Sequence, residues 1–323
     1  MYKYILSLKD TSASLIEQCG GKGAYLGELT KAGFNVPSGF CIIADTYFEY
    51  IRLNNIEEII NELGSSINYD DYDDLEKKTA TIRELISSGN MLDEYQEIVQ
   101  AYHALSTQEG QDALVAIRSS VAVRGTSVTS FPGMMDTYHY IHGEEEVINK
   151  VKECWASLWT GRAAMLRHQR GVDHTKAIIA PVIQRMVDPT VAGVLFTANP
   201  INSSRNEIVV ESTWGLGEAV VSGKAMTDFY LMEKDTLSIK TKRISNKNIM
   251  YGIDKDTGNG RKEYEVEGQK RKESSLTDSQ LIGLGQLAKS IEEYFGTPQD
   301  IEWAYEGDTL YFLQSRNIKG LAS

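Results

Sequence analysis

The chain has 323 residues, 24% of them charged and 41% apolar, which is enough to bury a sizeable core and close to the globular average. That balance excludes a disordered, collagen-like or linker-type polymer and allows two domains or lobes. Forty-five acidic residues against 33 basic ones leave a net charge of −12, which repels a nucleic-acid backbone or an anionic membrane surface, so an anionic ligand must meet a local basic cluster. Apolar stretches such as Ala177 to Ile183 fall far short of the roughly 20 residues that span a bilayer. Tyr4 to Leu8 is too short for a secretory core, and Cys19, Cys41 and Cys154 are widely spaced with no C-x-x-C pair. The cytoplasm is therefore the expected compartment, with no disulfide frame and no zinc site.

In chain order, Leu26, Leu29 and Ala32 predict a helix over 24–32, opened by Gly20-Gly21-Lys22-Gly23 and stopped at Gly33. Between about 55 and 105 a polar helical pattern rich in Asp70, Asp71, Asp73 and Asp74 predicts a solvated helical layer, to which no chemistry is assigned. Leu114 to Ile117 predicts a buried strand, after which Arg118 opens a long loop of small and hydroxyl residues ending at Gly133. A helix over 145–170 follows, then strands over 177–184, 192–196 and 208–211. Beyond them come a hairpin from Phe229 to Ile244, a loop-bounded strand region over 250–275, an amphipathic helix over 277–295 and a second hairpin over 300–316. The elements add up to an α+β chain.

Gly20-Gly21-Lys22-Gly23 combines backbone free to take unusual dihedrals, N–H groups at a helix start and one mobile ammonium, the requirements for holding phosphate. It is not a Walker A loop, because Ile16 stands where that motif needs glycine and Gly23 where it needs Ser or Thr. A plain helix-opening turn uses the same residues, and the motif alone does not separate the two. Gly215-Leu216-Gly217-Glu218-Ala219 fits a dinucleotide fingerprint after the strand ending at Glu211. That site needs a crossover helix of about ten or more residues, whereas Gly223 interrupts at once and Phe229 begins an alternating hairpin, so it is rejected.

In the terminal hairpin, a three-residue loop Glu306-Gly307-Asp308 pairs 305 with 309, 303 with 311 and 301 with 313, stacking the apolar side chains on one face. The other face then gathers Glu302, Gln314 and Arg316. A two-residue loop places Leu313 opposite Glu302 and scatters both sets. A carboxylate beside an amide oxygen suits Mg²⁺, which takes few protein ligands, and Arg316 adds a fork for phosphate. By itself the hairpin is better explained as an exposed face with cross-strand charge pairing.

Taken in order, a series of motifs resembles the N-terminal nucleotide-binding domain of the phosphoenolpyruvate synthase, pyruvate phosphate dikinase and rifampin phosphotransferase family. They are G-G-K-G-A-Y-L-G-E-L at 20–29, V-P-S-G-F at 36–40, A-I-R-S-S at 116–120 and S-F-P-G-M-M-D-T at 130–137. V-I-Q-R-M-V at 182–187, A-G-V-L-F-T-A-N-P at 192–200, W-G-L-G-E-A-V-V-S-G at 214–223, P-Q-D-I-E-W-A and L-Q-S-R complete the series. The resemblance implies a two-lobed ATP-grasp-like fold, with antiparallel sheets and flanking helices clamping ATP, and the sequence divides as lobes 1–183 and 184–323. It places Lys22, Arg118, Gly133 and Thr137 at phosphate-contacting positions, Gln184 at adenine, and Glu302, Gln314 and Arg316 at magnesium and phosphate positions. Glu211 at a strand end is a candidate for the ribose and Arg124 for a phosphate, each competing with a solvated-surface reading.

Two departures stand out. Val121-Ala122-Val123-Arg124 replaces the acidic residues usual after R-S-S, and Ser315-Arg316-Asn317 replaces the usual S-R-P. Family enzymes continue into a swivelling domain with a phosphorylated histidine and then a substrate domain. None of His103, His139, His142, His168 and His174 sits in that histidine's sequence context, and each reads as structural or solvated. The implied activity is an ATP-dependent phosphotransferase of dikinase type, with Lys22, Arg118 and Arg316 as its catalytic cations. It transfers the ATP β-phosphoryl or pyrophosphoryl group to a histidine domain in trans, releases AMP and serves a small-molecule acceptor that the sequence does not name. The alternatives are a self-sufficient ATP-grasp kinase or ligase acting on a small molecule, and a non-catalytic nucleotide-sensing module.

Overall fold

In the computed structural model the chain is described over residues 3–109, 112–125, 137–221, 223, 225–318 and 320–321. It forms two compact units, Met1–Glu28 with Ser38–Met186, and Leu29–Pro37 with Val187–Ser323. The sequence divides the chain between 183 and 184; the structure sets the step between Met186 and Val187, which leaves Gln184 in the first unit. Leu29–Pro37 joins the second unit because Leu29 is buried in its core, with Phe34 and Val36 packed against that core.

The first unit begins with β1 (Ile5–Ser7), α1 (Ile16–Lys31) and β2 (Gly39–Ile42), followed by α2 (Ala44–Leu53), α3 (Glu57–Ser65), α4 (Tyr72–Ser88) and α5 (Asp93–Glu109). Then come β3 (Val115–Arg118), β4 (Val121–Val123), β5 (Thr137–Ile141), α6 (Glu144–Ala156), α7 (Gly161–Gln169), β6 (Ala177–Ile179) and β7 (Val182–Arg185). Five strands pair antiparallel in the order β1-β2-β7-β3-β5, and β4 pairs with β6 separately. Ile5, Phe40, Ile117 and Ile183 turn one face of the larger sheet into a core shared with the helices. The Tyr50 and Trp155 rings, 4.9 Å apart, anchor that core.

Local chemistry explains where these elements depart from the expected ones. Helix α1 starts eight residues before 24 and is broken internally at Gly20. The helix expected over 145–170 is cut by Thr160, whose hydroxyl caps α7 by accepting the Ala163 N–H at 3.2 Å. The strand expected over 177–184 is split before Pro181, which has no N–H for a ladder, so β6 and β7 join different sheets. The loop expected from Arg118 to Gly133 contains β4, and its end, Gly133 included, lies outside the described residues.

Arg167 is buried, lies 5.1 Å over the Trp159 ring and donates its Nε–H to His174 Nδ1 at 3.0 Å. The His174 proton therefore sits on Nε2, 2.6 Å from the Tyr69 hydroxyl. Burial first, and the Arg167 charge second, lower the His174 pKa to about 4.

The second unit contains β8 (Val191–Phe196), β9 (Glu207–Trp214), α8 (Glu218–Val221), β10 (Asp228–Glu233), β11 (Ile239–Arg243), β12 (Ile249–Ile253) and β13 (Arg261–Glu265). It ends with α9 (Asp278–Phe295), β14 (Gln299–Glu306) and β15 (Thr309–Asn317). Six strands pair in the order β11-β10-β9-β8-β14-β15, every pairing antiparallel. Helix α9 opens with a Thr277–Gln280 capping box and buries Leu281, Leu284, Ala288 and Ile291 in the same core as Trp303 and Phe312. After Gly215 the helix α8 spans only Glu218–Val221, and β10 returns antiparallel to β9, so no crossover follows that glycine motif.

The terminal hairpin corrects the expected register. Glu306 pairs with Thr309, so the turn is the two-residue Gly307-Asp308, with Gly307 at φ 58°. Trp303 faces Phe312 and Tyr305 faces Leu310, which moves Tyr311 and Leu313 off the core face. A bulge at Leu313 then shifts the register by one, so Glu302, which the expected register sets against Phe312, stands directly opposite Gln314 on the face the two are expected to share. Along β15, Asn35 accepts the Phe312 N–H through its carbonyl at 2.9 Å and donates from Nδ2 to Leu310 O at 2.7 Å.

Asp228 and Lys247 form a fully buried ion pair of 2.7 Å. The same carboxylate accepts from the Ser245 and Ser275 N–H groups and from the Ser275 hydroxyl, while Lys247 also donates to Glu273 O at 2.8 Å. The pair thus ties β10 to the segments on both sides of the β12–β13 hairpin. Because each charge is the ion-pair partner of the other in a fully buried place, Lys247→Met should destabilise the protein by about 3–5 kcal/mol in urea unfolding, and adding Asp228→Leu should recover much of that loss. A single-variant loss under about 1 kcal/mol would refute the role.

The His174 pKa gives a pH signature. Its folded value lies below the unfolded value, so the stability it contributes is complete above pH ~6.5 and is lost as pH falls toward ~4. With allowance for partial exposure the contribution is about 2 kcal/mol. His174→Gln should flatten the fall in unfolding free energy between those pH values by that amount, and parallel profiles for the two proteins would contradict the assignment.

Candidate functional site

Helix α1 breaks where Gly20 takes φ 65° and ψ 177°, and the helix that resumes at Gly21 presents its N-terminus beside Lys22. A Cβ on Gly20 would lie 2.4 Å from Ser120 Oγ and 2.6 Å from the Ser120 carbonyl, so glycine is required by packing as well as by dihedral. At Gly23 a Cβ would lie 3.3 Å from Cys41 Sγ and 3.6 Å from Val182 Cγ2. The glycine turn therefore rests on the sheet face that carries Cys41 and Val182. Burial pushes the Cys41 thiol well above its ordinary range, so it is packing material rather than a nucleophile.

That face also carries the other expected residues of the first unit. Arg118 pairs with Thr137 on one side and Val182 on the other, and Gln184 pairs with Ala116 and Gly39. Partners in an antiparallel ladder share a face and alternate residues return to it, so Arg118, Thr137, Val182 and Gln184 point the same way. Arg118 is 8% exposed and Gln184 2%. Arg118, Thr137 and Gln184 thus share one sheet face, and the glycine turn that carries Lys22 in its backbone rests on the same face. Arg124 is not with them: it lies in the β4–β6 region, stacks 4.7 Å over the Phe48 ring and pairs with Asp45.

In the second unit a single ladder row runs Glu211, Val194, Glu302, Gln314 across β9, β8, β14 and β15. All four share a face, with Glu302 and Gln314 adjacent and Glu211 two strands away, about 10 Å at ordinary strand spacing. Thr227 donates its hydroxyl to Glu211 Oε2 at 3.1 Å. One row along, Asp300 faces Arg316 and accepts from its Nε at 2.8 Å and its Nη2 at 2.7 Å. Burial raises the Asp300 pKa, with Arg316 opposing that shift. The contact orients the guanidinium while 36% of the Arg316 side chain stays exposed.

Opposed residues in a ladder have Cβ atoms about 5 Å apart, so the Glu302 carboxylate and the Gln314 amide oxygen can meet one cation that each approaches at about 2.1 Å. Two hard oxygens fit Mg²⁺ completed by phosphate and water. Among the described residues no group of three His, Cys, Asp or Glu is arranged to hold a metal. His103 pairs with Glu144 at 2.6 Å, and His168 stacks on Tyr69 with ring centres 3.8 Å apart.

Two participants were missed in the sequence. Asp300 was discoverable, since it lies two residues before Glu302 and shares its face. Ser120 was present in the R-S-S motif, but only the fold brings it to the glycine turn. Among the described residues no helix is long and apolar enough to cross a membrane.

The sequence profile described as pyruvate phosphate dikinase, AMP/ATP-binding domain, matches residues 16–323. A probable phosphoenolpyruvate synthase of Pyrococcus horikoshii is 40% identical over 99% of this chain and 44% of its own length. One from Methanocaldococcus jannaschii is 39% identical over 99% of this chain and 27% of its own length. The rifampicin phosphotransferase of Bacillus subtilis is 34% identical over 99% of this chain and 36% of its own length. The chain therefore spans less than half of each of these relatives. With a match over nearly its whole length, and with these faces of cations and oxygen donors, the chain belongs to the pyruvate phosphate dikinase AMP/ATP-binding domain family.

Proposed function

We propose that the chain is the ATP-binding part of a phosphotransferase, which passes the β-phosphoryl group of ATP, or a pyrophosphoryl group that includes it, to a histidine on a separate swivelling domain. The observation that carries this reading is the row Glu211, Val194, Glu302, Gln314 in a chain of an AMP/ATP-binding family. Adjacent hard oxygen donors serve a hard cation, and nucleotide phosphates supply the rest of its shell.

In this reading Lys22, Arg118 and Arg316 bring positive charge to the phosphates of a substrate that the net charge of −12 otherwise repels. They position and neutralise, and form no covalent bond. Gln184 meets the adenine edge, Thr137 and Gly133 contact phosphate, and Glu211 takes the ribose. Glu302 and Gln314 would hold Mg²⁺, which when bound would withdraw charge from the phosphate oxygens. The histidine nitrogen bonds to the β-phosphorus as the bond from that phosphorus to the oxygen bridging the α-phosphorus breaks, and AMP leaves with that oxygen; the γ-phosphoryl travels with the β group as pyrophosphoryl, or is released to water as orthophosphate where the β-phosphoryl alone remains on the histidine. Relatives at 40% and 34% identity are named for phosphoenolpyruvate synthesis and for rifampicin phosphotransfer, so similarity at this level leaves the small-molecule acceptor open.

Mg-ATP should raise the melting temperature by several degrees at saturating concentration, and EDTA should reduce the gain. Glu302→Ala should remove the Mg-dependent part of the gain while circular dichroism stays near wild type. An unchanged melting curve at millimolar Mg-ATP would overturn nucleotide binding.

With a histidine domain supplied in trans, label from β-³²P-ATP should appear on that partner in acid-labile, base-stable form while AMP accumulates. Without the partner, only slow hydrolysis and no stable phosphoenzyme are expected. ADP formation that keeps the β-label, with γ-³²P passing directly to a small molecule in a parallel γ-³²P-ATP reaction, would instead identify a kinase acting on its own, and binding without turnover by any partner would identify a sensing module.

A further inference from the structure

Ser120 has no part in the phosphate-binding reading, yet it is buried and bonded to the turn that carries Lys22. Its Oγ donates to Cys19 O at 2.7 Å and accepts the Gly23 N–H at 2.9 Å. Those two backbone groups lie on either side of Gly20, so one hydroxyl closes the break in α1 from both ends. Ser120 is 1% exposed, which leaves no room for solvent to take over its bonds. It is held in turn by its own carbonyl, which accepts the Ala180 N–H at 2.7 Å. Thr11 adds a further hold, its hydroxyl lying 2.9 Å from Gly23 O and 3.0 Å from Leu8 O. Arg118 stands two residues before Ser120, at the end of β3.

We propose that Ser120 is a positioning residue that locks the Lys22 turn to the end of the Arg118 strand, so that ammonium and guanidinium meet the triphosphate as one preset pair. The proposal rests on the nucleotide reading above. Three glycines within Gly20–Gly23 give the turn many conformations of similar energy, and a ligand that had to select one would lose affinity by the populated fraction. The Ser120 bonds remove that loss before ligand arrives, which is preorganisation at a distance from any substrate atom.

The test is a double-mutant cycle on the full chain, with Kd for Mg-ATP and for adenosine measured by calorimetry in wild type, Ser120→Ala, Lys22→Ala and the double variant. Ser120→Ala should weaken Mg-ATP tenfold or more and adenosine less than twofold, and its effect on Mg-ATP should fall below twofold once Lys22 is Ala. Equal losses for both ligands, an unchanged Mg-ATP affinity, or a tenfold loss that persists in the Lys22→Ala background would each overturn the proposal. If Ser120→Ala does not fold, Ser120→Cys, close in volume and a weaker donor, should show a smaller loss of the same selectivity, and an unselective loss would overturn it. Should wild type bind no Mg-ATP, the nucleotide reading fails by itself. Hydrogen exchange in the Gly20–Gly23 peptide then judges the lock: tenfold faster exchange in the Ser120 variant supports it, and unchanged exchange refutes it.

Discussion

Between Phe312 and Gln314, strand β15 carries one residue more than β14 opposite it, and the shared face of Glu302, Gln314 and Arg316 hangs on that surplus. Continued without the bulge, the register of the turn would set Leu313 against Glu302 and turn Gln314 to the core side opposite Ile301. A buried amide without a partner and an apolar side chain beside a carboxylate would follow, both unfavourable. The bulge lets one strand satisfy two demands: Leu310 and Phe312 fill the core beside the turn, and Gln314 and Arg316 reach the other face beyond it. The ordering of Arg316 by Asp300 depends on the same shift.

The alternation of β14 was legible because Ile301, Trp303 and Tyr305 are separated by residues of different polarity or size. That of β15 was not, since Leu310-Tyr311-Phe312-Leu313 is a continuous apolar run in which a period of two leaves no trace. A three-residue loop gives the apolar residues a tidy face and sets Phe312, not Gln314, opposite Glu302; the two-residue turn and the bulge bring Glu302 and Gln314 directly opposite each other. The α+β class and the placing of the long helix α9 were legible for the opposite reason, a strong apolar period with a cap and a glycine at its ends. Short strands such as β1, β2 and β4 are defined by their partners more than by their own residues.

The candidate residues of the first unit illustrate the same limit. Lys22 announced itself through its glycines, and Arg118 through a strand end. That Thr137 neighbours Arg118 is a property of the ladder, which no spacing reveals. Arg124, a cation in a suggestive loop, is taken up by Phe48 and Asp45, a fate that only tertiary packing decides. The division of the chain likewise followed Leu29, whose burial assigns Leu29–Pro37 to the later unit despite its early position.

The hold of Asn35 on β15 bears on how the molecule behaves in a crowd. An outermost strand offers a row of amide and carbonyl groups to any neighbouring copy, and long edges of this kind seed intermolecular sheets. Here the Phe312 amide and the Leu310 carbonyl are already taken by a segment from the other end of the chain. The hairpin that carries Glu302 and Gln314 is thereby blocked as a template at its most apolar stretch, where Leu310 and Phe312 lie. Protection against self-association is supplied by backbone geometry rather than by surface charge alone.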